Sequence, residues 1–363
     1  MIGLDAVTKS YPGEDRPAVD RLTIQVEEGE IVALVGPSGC GKTTTLKMIN
    51  RLIEPTSGII TVGGRDITSM PPPQLRRSIG YVIQQAGLFP HRTVFQNIAT
   101  VPRLLGWDRT RIRARIDELL DLVDLGPGMG DRYPNELSGG QQQRVGVARA
   151  LAADPPVILM DEPFGAVDPI VRARLQGELL RMQSRLHKTI VLVTHDIDEA
   201  IRLGDRVAIL APGGRLAQFA TPEQILRDPE AGFVEGFLGP DRGLRRLSLI
   251  PLRNVELVEG PVVELGSGRG EALDAMTRHG LDWVVVRAGD RLLGWASAAE
   301  IDAGARLEAG SLQPIRGGAS IDGSLRDALD TMVTGHTGVA LVFDGDRYLG
   351  MITIDAVNRE MLR

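Results

Sequence analysis

The chain has 363 residues, of which 43% are hydrophobic and 24% charged, an ordinary composition for a protein with folded cores. A formal net charge of −6 argues against a protein that holds nucleic acid through a broad basic surface. Its one cysteine, Cys40, excludes an internal disulfide, and no apolar run approaches the roughly 18 residues of a membrane span. The stretch MIGLDAVTKSYPG shows no signal-peptide core, so we expect a reducing compartment and any membrane role only through a partner.

The first part of the chain, to about residue 240, alternates short β-rich runs with helical stretches. The β-rich runs are EIVALVG, VILMDEP, TIVLVTHD and DRVAIL. This alternation predicts an α/β domain in which helices cover a mostly parallel sheet.

A glycine-rich loop follows the first of these runs. Gly36, Gly41, Lys42 and Thr43 have the P-loop spacing G-x-x-x-x-G-K-[ST]. In such a loop backbone N–H groups surround a phosphate, the lysine supplies a mobile cation and the hydroxyl ligates Mg²⁺. The alternative, a chance glycine turn, is disfavoured because a strand precedes the loop and a helix follows it. The predicted phosphate site consists of Gly36, Pro37, Ser38, Gly39, Cys40, Gly41, Lys42, Thr43 and Thr44, with Cys40 at a position that the motif leaves free.

An amphipathic helix is predicted within Asp108–Leu125. Its apolar residues recur at helical spacing, namely Ile112, Ile116, Leu119, Leu120 and Val123. This segment indicates a helical subdomain, at about residues 86–155, inserted into the α/β domain.

A second candidate anion site lies in NELSGGQQQRVGVARAL, residues 135–151. Ser138, Gly139 and Gly140 lead into a helical segment, and a helix N-terminus of this kind can bind an anion. The other interpretation is that Ser138 is an ordinary N-cap, and both can hold together.

Two further runs end in titratable residues. Asp161 and Glu162 close VILMDEP, where one carboxylate can hold Mg²⁺ through water and the other can polarise an attacking water. An acidic pair at a strand end is weak evidence alone and becomes strong with the P-loop upstream. His195 closes TIVLVTHD, a position where a cap or a core residue is the usual alternative.

The character of the chain changes near residue 239. GPDRGLRRLSLIPL indicates a linker, and beyond it residues 272–297 and 328–353 align without a gap at an offset of 56 residues. Each copy is predicted to form a helix, a strand, a Gly-Asp turn, a strand and a helix, which makes an internal repeat.

Together these motifs resemble the ATP-binding cassette (ABC) ATPases, over residues 1 to about 235. LSGGQQQR resembles their signature sequence, Gln84 in YVIQQAGLFPH their Q-loop glutamine and Asp168 in GAVD their D-loop. His195 fits the switch histidine and Tyr11 the adenine-stacking aromatic, for which a packed surface residue is the less favoured alternative. The following GLFPHRTVFQNI resembles the segment that receives a coupling helix of a transmembrane subunit.

The resemblance implies ATP and Mg²⁺ as cofactors. It assigns catalysis to Lys42, Glu162 and His195, and the metal to Thr43, Gln84 and Asp161. It also explains the second glycine site, because the P-loop already encloses the one triphosphate of its own nucleotide. Two cassettes would dimerise head to tail, and the residues of one that close over the γ-phosphate held by the other would be Ser138, Gly139, Gly140 and Gln141.

The repeat resembles a pair of cystathionine-β-synthase (CBS) domains. A P-loop NTPase cassette followed by a tandem CBS pair of α+β domains looks like the ATPase of importers for glycine betaine, carnitine, choline or proline. The expected domains are 1–238, a linker at 239–250, and 251–363, with repeats at about 255–308 and 311–363. The implied partners are a second cassette, transmembrane permease subunits at the cytoplasmic face of the membrane and an extracytoplasmic substrate-binding protein, with no nucleic acid. An importer for another solute and a non-transport ABC ATPase are the alternatives.

Resembling CBS pairs bind adenosine-containing ligands, among them cyclic di-AMP, in clefts between the repeats. Ser297 and Glu300 have a hydroxyl-x-x-acid spacing suited to a ribose, whereas Thr353 and Asp355 in the second copy do not. The repeat could instead only hold a dimer together, or respond to ionic strength through docking arginines of the linker. The candidate arginines are Arg242, Arg245 and Arg246.

Overall fold

A computed structural model describes residues 1–363 except 85–86, 166, 290, 302–305, 316, 336 and 363, and except the side chains of Pro127 and Leu362. The chain divides into two compact units, Met1–Gly239 and Pro240–Arg363. Among the described residues, no helix combines the length and the apolar character that crossing a bilayer would require.

The first unit contains strands from two sheets. They are β1 (Ile2–Lys9), β2 (Val19–Val26), β3 (Ile31–Val35), β4 (Ser57–Val62), β5 (Arg65–Asp66), β6 (Ile79–Val82), β7 (Val157–Asp161), β8 (Thr189–Val193), β9 (Arg206–Ala211) and β10 (Arg215–Ala220). Its helices are α1 (Lys42–Ile49), α2 (Pro72–Ser78), α3 (Val94–Ile98), α4 (Thr100–Leu104), α5 (Arg109–Leu122), α6 (Gly139–Leu151), α7 (Pro169–Leu186), α8 (Ile197–Leu203), α9 (Pro222–Arg227) and α10 (Phe233–Leu238).

The larger sheet has the strand order β10-β9-β3-β8-β7-β6, and β10 alone of these is antiparallel to its neighbour. All five residues of β3 and of β8 are buried, as expected for continuous apolar runs covered on both faces of a parallel sheet. A second, antiparallel sheet has the order β2-β1-β4-β5. The α/β class predicted from the alternation of runs is therefore confirmed.

The predicted amphipathic helix is α5. It begins after Asp108, whose carboxylate accepts a hydrogen bond from the backbone N–H of Arg111 at 2.9 Å. The predicted apolar stripe is buried, since Ile112, Ile116 and Leu119 are each no more than 4% exposed. These side chains join one core cluster with residues of α6 and α7, among them Val145 and Leu175.

The second unit contains β11 (Val262–Glu264), β12 (Trp283–Ala288), β13 (Arg291–Ser297), β14 (Ala319–Ser320), β15 (Val339–Asp344) and β16 (Arg347–Thr353). Its helices are α11 (Arg242–Leu247), α12 (Arg269–His279), α13 (Leu325–Thr334) and α14 (Ile354–Leu362). The six strands form two three-stranded sheets, β11-β12-β13 and β14-β15-β16, each with one parallel and one antiparallel pair.

The strand register shows that the two copies are one repeated unit. Val285 pairs with Trp295 in the first sheet, and Leu341 pairs with Met351 in the second, each 56 positions further along the chain. Both antiparallel pairs also shift register at the same place, after Val286 and after Val342. The internal repeat predicted from the sequence therefore exists as structure.

The segment assigned to a linker, residues 239–250, is not simply extended. It contains α11, which packs against α13 and α14, and Leu247 is fully buried in the core of the second unit. The arginines marked this stretch as polar, and the one buried side chain of the helix, Leu247, was too weak a pattern to predict it.

Candidate active site

The P-loop connects β3 to α1, and two of its glycines are required by the backbone. A Cβ atom at Gly36 would lie 2.3 Å from the carbonyl oxygen of Leu210, and one at Gly41 would lie 2.2 Å from that of Ala18. Gly41 also has φ +90°, a conformation that side chains disfavour, whereas Gly39 at φ +79° faces open space. The loop can therefore expose its N–H groups at the start of α1 only with glycine at positions 36 and 41.

Lys42 lies within the loop and is only 7% exposed. Its Nζ donates to the carbonyl oxygens of Gly36 at 2.7 Å and Pro37 at 2.9 Å. Cys40, the free position of the motif, is 1% exposed and belongs to the hydrophobic core. The ammonium is thus held inside the loop, where phosphate oxygens can replace the carbonyl acceptors.

Thr43 and Asp161 meet where α1 starts and β7 ends. The Thr43 hydroxyl donates to Asp161 Oδ1 at 2.8 Å. Burial raises the pKa of Asp161, and the negative charge of Glu162 raises it further, while the hydrogen bond from Thr43 opposes both. A cation beside Thr43 and Asp161 would offset the unfavourable negative charge of the Asp161 carboxylate.

The donors at this point suit Mg²⁺, because a hydroxyl and a carboxylate are the hard oxygen ligands that it takes together with water and phosphate. Among the described residues, no group of three or more His, Cys, Asp and Glu side chains could hold a metal alone. Any Mg²⁺ held here would need the nucleotide and water for its remaining ligands.

Gln84 and His195 both approach one carboxylate oxygen of Glu162. Gln84 Nε2 donates to Glu162 Oε2 at 2.8 Å, and His195 Nδ1 lies 3.3 Å from the same atom. The three residues follow β6, β7 and β8, neighbouring parallel strands whose carboxyl ends share one edge of the sheet. The Glu162 side chain is 22% exposed and that of His195 59%, so both have access to solvent.

The backbone at Glu162 is fixed in an uncommon conformation. Its φ is +45°, and its N–H donates to the carbonyl oxygen of Val193, at the end of β8, at 2.9 Å. Such conformations in residues other than glycine persist where the surrounding structure enforces them, and they cluster at functional sites. The turn thereby places the carboxylate at the sheet edge beside His195.

The second glycine site is the N-terminus of α6. Ser138 Oγ accepts from the N–H of Gln141 at 3.3 Å, and Gln141 Oε1 accepts from the N–H of Ser138 at 2.9 Å, a capping box. Gly139 and Gly140 form the first turn, and Ser138 is exposed. In the part of the chain that the structure describes, no hydrogen bond joins this turn to the P-loop.

Tyr11 and Asp168 have local roles in the structure. Tyr11 is 38% exposed, with Lys9 Nζ 5.2 Å from its ring centroid. Asp168 is the N-cap of α7 and accepts from the N–H of Val171 at 3.1 Å. Ala166, within the same GAVD stretch, lies outside the described residues.

In the second unit, the two side chains of the hydroxyl-x-x-acid pattern are hydrogen-bonded to each other. Ser297 Oγ donates to Glu300 Oε2 at 2.9 Å, and Gln313 Nε2 donates to Oε1 at 3.1 Å. Hydrogen bonds from the Ser297 backbone and hydroxyl lower the pKa of Glu300. In the second copy Thr353 instead accepts from the N–H of Ala356 at 3.3 Å, so the two copies differ at this position.

One group near the site was not predicted from the sequence. A buried hydrogen-bonded group lies next to the turn that carries His195. Its members are Thr194, Gln176 and Glu199, and the Glu199 carboxylate accepts from each of the other two side chains. In the sequence, the only sign of this group is Glu199 in the first turn of α8, on the side of the helix whose other buried residues are apolar. That pattern does not identify the partner of Glu199.

Two family models match this chain, one in each of its two units. A family model described as ABC transporter matches residues 19–165, and one described as CBS domain matches residues 319–363. The second match falls on the second copy of the repeat, and the first copy shares its strand register.

Relatives with known roles match far more of the chain. The choline transport ATP-binding protein of Bacillus subtilis is 50% identical over 81% of this chain and 77% of its own length. The osmoprotectant import ATP-binding protein of Salmonella typhimurium is 46% identical over 98% of this chain and 95% of its own. A solved dimeric ABC cassette in a post-hydrolysis state, bound to ADP and phosphate, is 34% identical and covers 61% of this chain and 99% of its own, with a TM-score of 0.55.

Proposed function

This chain belongs to the ATP-binding proteins of ABC transporters and is an ATP hydrolase, and we propose that it drives an importer for osmoprotectants. The proposed solutes are glycine betaine, carnitine, choline or proline. The observation that carries this proposal is the match of the Salmonella typhimurium protein over 98% of the chain, which includes the repeated second unit as well as the cassette. A match restricted to the cassette would not indicate which class of solute is transported.

The site geometry supports a division of roles. The backbone N–H groups of residues 36–41, apart from Pro37, and the Lys42 ammonium would hold the β- and γ-phosphates, and Tyr11 would stack on the adenine. Thr43, Asp161 and Gln84 would hold Mg²⁺, which when bound neutralises the phosphate oxygens. Thr44, in the same first turn of α1, would lie near the α-phosphate.

Glu162 is the proposed catalytic carboxylate. It would orient and polarise the attacking water, because its Oε2 lies at the sheet edge beyond the P-loop and within reach of both Gln84 and His195. His195 would contact the γ-phosphate from the opposite side. Phosphoryl transfer needs mainly such positioning and charge stabilisation, which these residues supply.

A dimer of cassettes completes each site. The exposed turn at Ser138, Gly139, Gly140 and Gln141 would close over the nucleotide bound by a partner cassette, and Asp168 would lie at the same interface. Because the contact has two-fold symmetry, it forms two equivalent sites. ATP would favour closure, and hydrolysis would permit opening.

The proposed assembly places this chain at the cytoplasmic face of the membrane, bound to permease subunits that are supplied with solute by an extracytoplasmic binding protein. The second unit would regulate it by binding an adenosine nucleotide such as cyclic di-AMP or by responding to ionic strength. Simple dimerisation of the repeats is the alternative role.

Two measurements test the proposal. Purification from membranes should recover this chain with permease subunits, whereas recovery with ribosomes or DNA alone would favour a non-transport ABC ATPase. Reconstituted complex should then take up at least one of labelled glycine betaine, choline, carnitine and proline in an ATP-dependent way. Uptake of none of the four would overturn the solute class and leave the hydrolase assignment intact.

A further inference from the structure

A buried carboxylate that the proposed chemistry does not use lies in the first turn of α8. Glu199 is 7% exposed, and burying a carboxylate is unfavourable unless its oxygens are paired. Each oxygen has one partner. Glu199 Oε2 accepts from the hydroxyl of Thr194, and Oε1 accepts from Gln176 Nε2 at 3.3 Å.

Thr194 connects this carboxylate to the turn that carries His195. It is 1% exposed, and its N–H donates to the carbonyl oxygen of Leu34 in β3 at 3.1 Å. Its hydroxyl also accepts from the N–H of Asp196 at 3.0 Å. The hydroxyl of the residue before His195 therefore accepts from the N–H of the residue after it and donates its own proton to Glu199.

The long helix α7 holds the far side of the network. Gln176 Oε1 accepts from Arg202 Nη1 at 3.3 Å, which fixes the orientation of the amide toward Glu199. One turn earlier, Arg172 Nη2 donates to the carbonyl oxygen of Val167 at 3.1 Å, and Arg172 Nη1 lies 3.9 Å from Asp196 Oδ2. The same helix thus contacts the residue before Asp168 and the residue after His195.

We propose that Glu199 is a positioning residue for His195. Its carboxylate, oriented by Gln176, holds the Thr194 hydroxyl and so keeps the turn in the geometry that directs the imidazole toward Glu162 and the γ-phosphate. The inference rests on the proposed role of His195 and adds to it. A buried network of this kind holds one arrangement only if every member is satisfied.

The polarity of the Gln176–Glu199 contact provides the test. Glu199→Gln has one acceptor oxygen where two are needed, so if that oxygen stays on the Thr194 hydroxyl, two amide NH₂ groups face each other. Gln176→Glu puts two carboxylates face to face. The double variant exchanges the groups, so the amide at position 199 again donates to a carboxylate at position 176, which Arg202 still contacts. In the full-length chain, each single change should lower kcat about tenfold, with the Kd for ATP within about twofold of the parent.

The double variant should recover most of the lost kcat, because the pairing is restored although both residues differ. A matched control is Glu30→Gln, which breaks an ion pair with Arg206 next to the opposite, N-terminal end of β3. We expect it to lower the Tm and leave kcat unchanged. If the double variant is as slow as the single ones, or if ATP affinity falls in parallel with kcat, Glu199 has only a structural role.

A His195→Ala background separates this inference from the function on which it rests. There, Glu199→Gln should cause no further loss of kcat, because it acts through the missing imidazole. Full activity of His195→Ala itself would refute the assigned role of His195. Severe loss in His195→Ala together with a parental rate in Glu199→Gln would refute only the positioning role of Glu199.

Discussion

Glu162 and His195 face each other at the carboxyl edge of the larger sheet, with 3.3 Å between Oε2 and Nδ1. Gln84 reaches the same oxygen from a third loop, at 2.8 Å. A movement of any one of these three loops therefore changes the surroundings of the carboxylate.

The first prediction concerns that carboxylate. Glu162→Gln keeps an oxygen that can accept from Gln84 but removes the base, so we expect ATP to bind normally while kcat falls at least about 100-fold. The ATP-bound variant should accumulate as a closed dimer, measured by gel filtration with and without ATP. Glu223→Gln, at an exposed carboxylate of α9, is the control and should hydrolyse ATP like the parent. Normal turnover by Glu162→Gln would show that another group activates the water.

The second prediction separates the two roles of Ser138. Aspartate caps a helix about as well as serine, so Ser138→Asp should leave the Tm nearly unchanged, whereas Ser138→Ala should cost about 1 kcal/mol of cap stabilisation. The added charge would repel the γ-phosphate of the partner's nucleotide, so ATP-dependent dimerisation in the Glu162→Gln background should be lost. Thr221→Asp changes another capping box, at the start of α9, and should dimerise normally. If Ser138→Asp still dimerised with ATP, Ser138 would act only as a helix cap and would not contact the partner's nucleotide.

The third prediction uses the raised pKa of Asp161. Since the folded chain keeps that proton to a higher pH than the unfolded chain, ionised Asp161 destabilises the fold above its folded pKa. Asp161→Asn, whose amide oxygen can still accept from Thr43, should therefore have a higher Tm than the parent at pH 7. The difference should shrink as pH falls, and vanish below the ordinary aspartate pKa of 3.8.

The same variant should lose Mg²⁺-dependent hydrolysis, because a neutral amide is a poorer ligand for Mg²⁺ than a carboxylate. Thermal unfolding at several pH values, without nucleotide, measures the first effect, and ATPase assays over a Mg²⁺ series measure the second. An Asp161→Asn chain with a lower Tm at pH 7 would contradict the charge argument, whatever its activity.

The sequence predicted most of the parts of the site because each carries a local constraint. Gly36 and Gly41 are required by close backbone contacts, and Glu162 and His195 follow neighbouring buried strands that end at one edge. It did not predict the pairing of Glu199 with Gln176, which lies 23 residues earlier, because partners across two helices are chosen by packing. The spacing of Ser297 and Glu300 suited a ribose, and it did not show that the two side chains bond to each other.

The last prediction concerns the second unit. Among the described residues, the hydrophobic cluster of the first unit that contains Leu34 and Leu159 includes no residue after Gly239, so truncation there leaves this cluster intact. We expect residues 1–239 to fold and hydrolyse ATP. If the repeat is the regulatory unit, the truncated chain in the transporter complex should no longer respond to salt or cyclic di-AMP, whereas the full chain should.

The salt response has a physical form that the experiment can distinguish from ligand binding. Charges on protein or lipid surfaces are screened over about 8 Å at physiological ionic strength, so docking through Arg242 should weaken smoothly with any salt. Arg246 is partly committed, because its Nη1 donates to the carbonyl oxygen of Met361 within the same unit at 3.0 Å. Arg242→Gln in the full chain should therefore shift the salt midpoint of transport and leave any response to cyclic di-AMP unchanged. Persistence of both responses after truncation would place the switch in the cassette or in the membrane subunits.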